Sequence, residues 1–244
     1  MYKCSDMESL YEDMPFCQGK KSLPGVRGYV FGIAKRDVVK WPTLPGAAAK
    51  SLTELVNYVG DFVLATDKKW HKIGMIPDNG ELKIESQGTY GSKTFKVTSN
   101  IVIPGTEEEA TGYIAAANND EMIYLIIQRN GKARMVGSES FTPELSLSQD
   151  TGKAATDTNS TNVEAVATDE YPAPFYPGKI ETADADISGT TGCVITDDTE
   201  KVYTGSDGKN YVLSQLTLVD GVYYVTSSLT NGAVGDTSIK ITVK

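Results

Sequence analysis

The run Met122 to Gln128, Met-Ile-Tyr-Leu-Ile-Ile-Gln, constrains the fold of this chain more than any other stretch. A strand with one wet face alternates apolar and polar residues, and this run does not, so it is predicted to be a strand buried on both faces, or nearly so. Asn130-Gly131 follows it, the strongest short hairpin signal, because a type I′ turn needs positive φ at both central residues. Lys132 to Val136 is therefore expected to return antiparallel. Upstream, Phe95, Val97, Ser99, Ile101 and Ile103 alternate with polar neighbours over Thr94 to Ile103, the period of a half-buried strand. Pro104-Gly105 stops it. Thr106 and Glu109 have capping-box spacing, and Glu107, Glu108 and Glu109 suit the positive end of a helix dipole. The helix predicted there buries Ala110, Tyr113, Ile114 and Ala117 and ends at Asn118-Asn119-Asp120. Ser92 to Gly137 thus reads strand, helix, hairpin, and the rest of the chain is arranged around it.

Elsewhere helix signals are scarce. Short runs of valine, threonine, isoleucine and tyrosine recur between Gly, Asn, Asp and Pro clusters, which predicts a mainly β architecture. A chain of 244 residues with 40% hydrophobic content can bury a real core in one large or two small domains. The formal charge of −9 excludes a binder that works by neutralising phosphates. No stretch reaches the roughly 18 apolar residues of a membrane span. The first fourteen residues are acidic where a signal peptide is basic and then apolar, so a cytoplasmic origin and no membrane partner are expected.

Residues 1–27 hold few periodic signals and read as an extended arm with a turn at Leu23-Pro24-Gly25. Tyr29 to Trp41 reads as a first strand with a polar interruption at Lys35-Arg36-Asp37. Gly46 to Asn57 suits a short helix, although Leu52 to Leu64 suits a strand equally. Trp70 to Ile76 and Glu81 to Gly88 bracket Pro77-Asp78-Asn79-Gly80 as a β-hairpin. Phe141 to Ser148 and Asn162 to Thr168 alternate around a polar stretch, Gln149 to Thr161, long enough to be a mobile tip. Tyr171 to Gly178 is proline-rich, ill-suited to a regular ladder, and is taken as the end of a first domain, 1–178. Residues 179–244 change texture, with short strands at 193–195, 201–204, 211–218, 222–227 and 238–243, and read as a small antiparallel β module, an Ig-like sandwich being one form that fits.

No residue stands out as catalytic, cofactor-binding or metal-ligating, and no cofactor is expected. His71 is the lone histidine, in a polar run. No phosphate loop is present. Glu107-Glu108-Glu109 reads as a helix start, and Asp197-Asp198 lacks the spacing of a calcium loop. Cys4, Cys17 and Cys193 are an odd set; Cys4 and Cys17 can pair, hold a metal or remain reduced thiols. Tyr171 to Tyr176 reads as a rigid linker or docking strand, or as a ligand for a proline-binding domain. The chain is expected not to be an enzyme.

The order of Leu23-Pro24-Gly25, Asp37 to Trp41-Pro42, Gly91-Ser92-Lys93-Thr94-Phe95, Ile103-Pro104-Gly105-Thr106, Ala117-Asn118-Asn119-Asp120, Asn130-Gly131 and Pro172-Ala173-Pro174-Phe175-Tyr176 resembles tail tube-like structural proteins of long-tailed phages and prophages of Bacteroidetes. The resemblance spans residues 17–178. It implies a β-sandwich or half-barrel with one flanking helix, assembled into hexameric rings that stack as the virion tail tube in the host cytoplasm. Its partners are then further copies and other tail proteins, and DNA passes without specific binding. The one clear helix cannot cover both faces of the Met122 to Gln128 strand, so adjacent copies are expected to complete the sheet. The alternative is a surface or head-fibre binding module recognising a glycan or a protein.

Overall fold

The computed structural model describes residues 10, 11, 13, 14, 17–19 and 21–193, and the backbone alone of five short strands between 202 and 239. The chain runs through β1 (Val26–Ala34), a 3-10 turn at Lys35–Asp37, and β2 (Val38–Lys40). A single helical turn, α1 (Leu52–Leu55), then forms because the Ser51 hydroxyl accepts the Glu54 N–H. After β3 (Val63–Leu64), β4 (His71–Gly74) and β5 (Glu81–Gln87) come β6 (Thr94–Pro104), α2 (Glu108–Ala117), β7 (Met122–Gln128) and β8 (Ala133–Val136). The strands β9 (Glu144–Asp150), β10 (Ser160–Asp169), β11 (Phe175–Tyr176), β12 (Lys179–Ile180) and β13 (Ile187–Ser188) follow.

The fold is mainly β, with antiparallel sheets and little helix. One sheet has the order β11-β8-β7-β1-β4 and a second the order β5-β6-β10-β9. They face each other across one core, in which Val30, Ile73, Tyr124 and Ile126 of the first meet Val97, Ile101, Val163 and Ala165 of the second. Tyr113, Ile114 and Ala117 of α2 pack on the same core and Ala110 is buried, so the predicted helix face is the one used. The cap differs. Glu107 takes the N-cap position, which leaves Thr106 outside the helix, and no capping box forms; the Thr111 hydroxyl donates to the Thr106 carbonyl instead.

β7 sits at the centre of the five-stranded sheet, with Met122 to Ile127 all buried. Its second face is covered within the chain, contrary to the expectation that adjacent copies supply the cover. Ile123, Leu125 and Ile127 lie under Tyr58, Phe62 and Trp70 from connecting segments and under Tyr176 of β11 and Ile180 of β12. Phe62 is the hub, with ring centroids 5.4 Å from Trp41, 5.2 Å from Trp70 and 4.9 Å from Tyr176. The connections β2–β3 and β11–β13 thus act as a layer in place of a second helix.

Three local expectations change. Asn130-Gly131 does not form a two-residue type I′ turn: only Gly131 has positive φ (+95°), and the Gln128 N–H donates to Lys132 O across a three-residue loop. This is a type I turn followed by a left-handed glycine, the next commonest hairpin. A Cβ at Gly131 would stand 2.1 Å from the Thr191 carbonyl oxygen, so no other residue fits. Second, β4 and β5 are not a hairpin. The Met75 N–H donates to Gly28 O in the first sheet and the Ile76 N–H to Val102 O in the second, so 75–80 is the corner where the chain changes sheets. Third, β9 and β10 reach into the stretch 149–161 from both sides, which narrows the tip to 151–159.

The boundary expected after Gly178 falls later, with a first unit of Met1–Val194 and a second of Ile195–Lys244. Ile180 is fully buried in the aromatic layer, the Ala133 N–H donates to Gly189 O (2.8 Å), and the Arg27 guanidinium donates to Gly192 O (2.7 Å). Nor is Tyr171 to Gly178 a linker, since Phe175–Tyr176 is the ladder partner of β8. In the second unit, β14 (Val202–Thr204) pairs with β15 (Asn210–Val212), and β16 (Leu216–Val219), β17 (Val222–Val225) and β18 (Ser238–Ile239) form an antiparallel sheet. The stretch expected as one strand over 211–218 is therefore two. The strand expected at 193–195, but for Cys193, and about half of the 1–27 arm fall outside the described residues.

Candidate functional site

The residues weighed for chemistry lie apart. His71 is exposed on β4, in a cleft of about 250 Å³ whose charges are already paired: Arg36 with Asp120 (2.6 Å) and Lys68 with Asp37 (3.6 Å). Glu107, Glu108 and Glu109 point into solvent at the start of α2. Cys17 and Cys193 are exposed free thiols, while Cys4 and the Asp197-Asp198 pair lie outside the described residues. Among the described residues no three His, Cys, Asp or Glu side chains meet as a metal site. Among the described residues no helix is long and apolar enough to cross a membrane.

The tyrosines with the most perturbed hydroxyls are structural. Tyr124 and Tyr113 share a hydrogen bond of 2.8 Å, and burial raises both above the ordinary phenol range. Burial also raises Tyr176, whose hydroxyl donates to Lys179 O (2.7 Å) and accepts the Phe62 N–H (3.3 Å). That pair of bonds ties the β11–β12 turn to the aromatic layer. Arg134 holds the proline-rich segment: it stacks on Phe175 at 4.5 Å and donates to Ala173 O (2.8 Å) and to Pro172 O. Ala173 is buried at φ +46°, a strained conformation for a residue with a Cβ, and the clamp holds it there.

What the molecule does offer is an unpartnered sheet. β5 and β9 end the four-stranded sheet, and neither has a ladder partner on its outer side among the described residues. Each is seven residues long, and open edges of that length invite another strand. The first sheet is closed beyond β11 instead, and at its other end only by a bond just before the four-residue strand β4. Beyond β11, the Tyr58 N–H donates to Phe175 O and the Phe175 N–H to Val56 O; just before β4, the Trp70 N–H donates to Glu181 O.

One face of the four-stranded sheet supplies Val97, Ile101, Val163 and Ala165 to the core, so the alternate residues point away from it. That outer face carries five carboxylates, Glu81, Glu85, Glu144, Asp150 and Glu164, against two lysines, Lys83 and Lys96. The 151–159 tip beyond β9 is ordered by Asp157, whose carboxylate accepts the Lys153 and Ala154 N–H groups at 2.8 and 2.9 Å and is thereby held below the usual carboxylate range.

Sequence reasoning found these strands but not their open edges, because an edge is a relation between strands distant in sequence. No family model, curated protein or solved structure matches the chain.

Proposed function

We propose that this chain is a virion structural protein without enzymatic activity, a tail tube protein of long-tailed phages or prophages of Bacteroidetes, built into stacked six-fold rings. The observation that carries the reading, beside the resemblance in sequence, is the pair of open edges. β5 runs from the Asn100 end of its sheet toward the Phe95 end, and β9 runs the opposite way. A copy related by rotation about a ring axis, with its orientation kept, therefore brings its β9 antiparallel to β5. That is the pairing every other strand of this sheet uses. Repetition of a heterologous contact of this kind closes into a ring and leaves no edge exposed.

The net negative outer face then lines the channel, where it repels phosphates and lets DNA pass without specific binding. The second face of β7 lends this reading no support, since it is covered within the chain. The hairpin tip 151–159 is the element suited to reach the next ring, and other tail proteins are the partners at the ends of the tube.

Negative-stain microscopy of the purified chain is expected to show rings or stacked tubes. Replacing 151–159 with a two-residue turn is expected to block stacking while leaving the circular dichroism spectrum unchanged. A monomer at every concentration tested, absent from assembled virion tails, refutes the proposal.

A further inference from the structure

The tip of the β5–β6 hairpin presents an almost fully exposed tyrosine. Tyr90 is 99% exposed, the most exposed large apolar side chain among the described residues. The tip that carries it is a tight turn: the Ser92 N–H donates to Thr89 O (3.0 Å), their hydroxyls lie 3.3 Å apart, and Gly91 takes φ +92° as the third residue of a type II turn requires. In a chain of net charge −9, the turn 88–93 carries one charged residue, Lys93, and no carboxylate, so the tip itself is positive; Lys96, further along, faces Glu85 across the ladder.

At the same end of the same sheet lies an open apolar cavity of about 470 Å³. Leu55, Val56, Phe95, Tyr171 and Pro172 line it, and Glu170 stands exposed on its rim beside Asp169. Phe95 pairs with Ser86 on one side and with Asp169 on the other, which puts the tip and the cavity at one level. β10 extends past the start of β9, since the last pair between them is Val166 with Glu144. That leaves a notch under β9, bordered by Thr168, Asp169 and Glu170.

From these features we infer that Tyr90 of one copy docks into the cavity of the next, with Lys93 against Glu170. The inference rests on the ring reading for its geometry: with β5 beside the neighbour's β9, the tip overhangs the notch, and the cavity wall begins one strand spacing, about 4.8 Å, further in. Charge complementarity selects a second copy as the occupant, because the tip is basic and the rim acidic in the same chain. Burial of a tyrosine, roughly 150–250 Å², beside the sheet edge makes the contact a latch that fixes register along otherwise uniform strands.

Two experiments on the full chain test it. In sedimentation velocity, Tyr90→Ala is expected to raise the concentration needed for assembly at least tenfold. Lys93→Glu and Glu170→Lys each weaken assembly, and the double exchange restores it. In the second experiment Cys4, Cys17 and Cys193 are replaced by serine, and Tyr90→Cys chains are mixed with Leu55→Cys chains under mild oxidation. A disulfide between the two is expected, well above a Tyr90→Cys with Ser140→Cys control. Rings that form normally with Tyr90→Ala and give no selective cross-link overturn the latch and leave the ring standing. A selective cross-link from a chain that never forms rings upholds the latch and removes the ring. A cross-link formed only inside a single chain carrying both cysteines, or none at all because a foreign protein is the occupant, overturns the latch.

Discussion

The two sheets of the first unit share a core and differ in everything else. The five-stranded sheet is covered on both faces and at its β11 edge, by the other sheet, by an aromatic layer, and by backbone bonds from 56–58, with one further bond from 181 just before the short strand β4. The four-stranded sheet has one covered face, one wet and acidic face, and two open seven-residue edges among the described residues. The covered sheet serves as the scaffold, whereas the half-open one carries the surface proposed to meet another chain. The difference arises in the connections: β2–β3 and the segment 171–193 fold back over the first sheet, and nothing comparable crosses the second among the described residues.

The contrast can be broken by substitution. Phe62→Ala, at the hub of the aromatic layer, is expected to cost about 3–5 kcal/mol in denaturant unfolding. Val166→Ala, on the wet face, is expected to change stability by no more than about 0.5 kcal/mol. Equal effects would mean that the two outer faces are equivalent and the distinction false.

Ile180→Ala tests whether residues 179–193 belong to the covered sheet. A loss of about 2–5 kcal/mol from the first unit is expected; an unchanged midpoint would move the boundary back to Gly178. Arg134→Met leaves the Pro172 and Ala173 carbonyls without their donor and is expected to cost about 1–3 kcal/mol. Arg134→Lys is not expected to rescue it, because an ammonium lacks the planar fork.

The smallest effect belongs to the open sheet. Asp157 has a folded pKa below its unfolded value, so the order it gives the 151–159 tip is complete above the ordinary carboxylate pKa, about 4. That order is lost as pH falls through the lower, folded value. Protection of the Lys153 and Ala154 amides, taken relative to the intrinsic exchange rate at each pH, should fall in that acid window, and Asp157→Asn should abolish that fall without moving the global transition. Protection that is flat with pH in the parent chain would show that the carboxylate does not order the tip.

Much of this was legible in the residues. The unbroken apolar run Met122 to Ile127 marked the central strand, the alternation from Phe95 to Ile103 marked β6, and Ala110, Tyr113, Ile114 and Ala117 marked the buried face of α2. Each depends on a period of two, on its absence, or on a helical period, and such periods are local. The capping box failed because Glu107, one residue further on, took the cap. The hairpin at Pro77-Asp78-Asn79-Gly80 failed because turn chemistry says that the chain reverses, not whether the flanking strands stay in one sheet.

The candidate surface was less legible still. Alternation in β5 and β9 says that each has a wet face, and nothing in either segment says that its edge is open. Tyr90 carries no periodic signal, and its exposure becomes visible only once the hairpin is built. By itself, then, the sequence determined the mainly β class, the doubly buried strand, the helix and the absence of a phosphate-binding charge balance, all properties of short windows. Tertiary structure alone decided which edges stay open, which connections become a layer, and where the first unit ends. Those outcomes depend on contacts such as Phe62 with Tyr176 and Arg27 with Gly192, between residues more than a hundred positions apart.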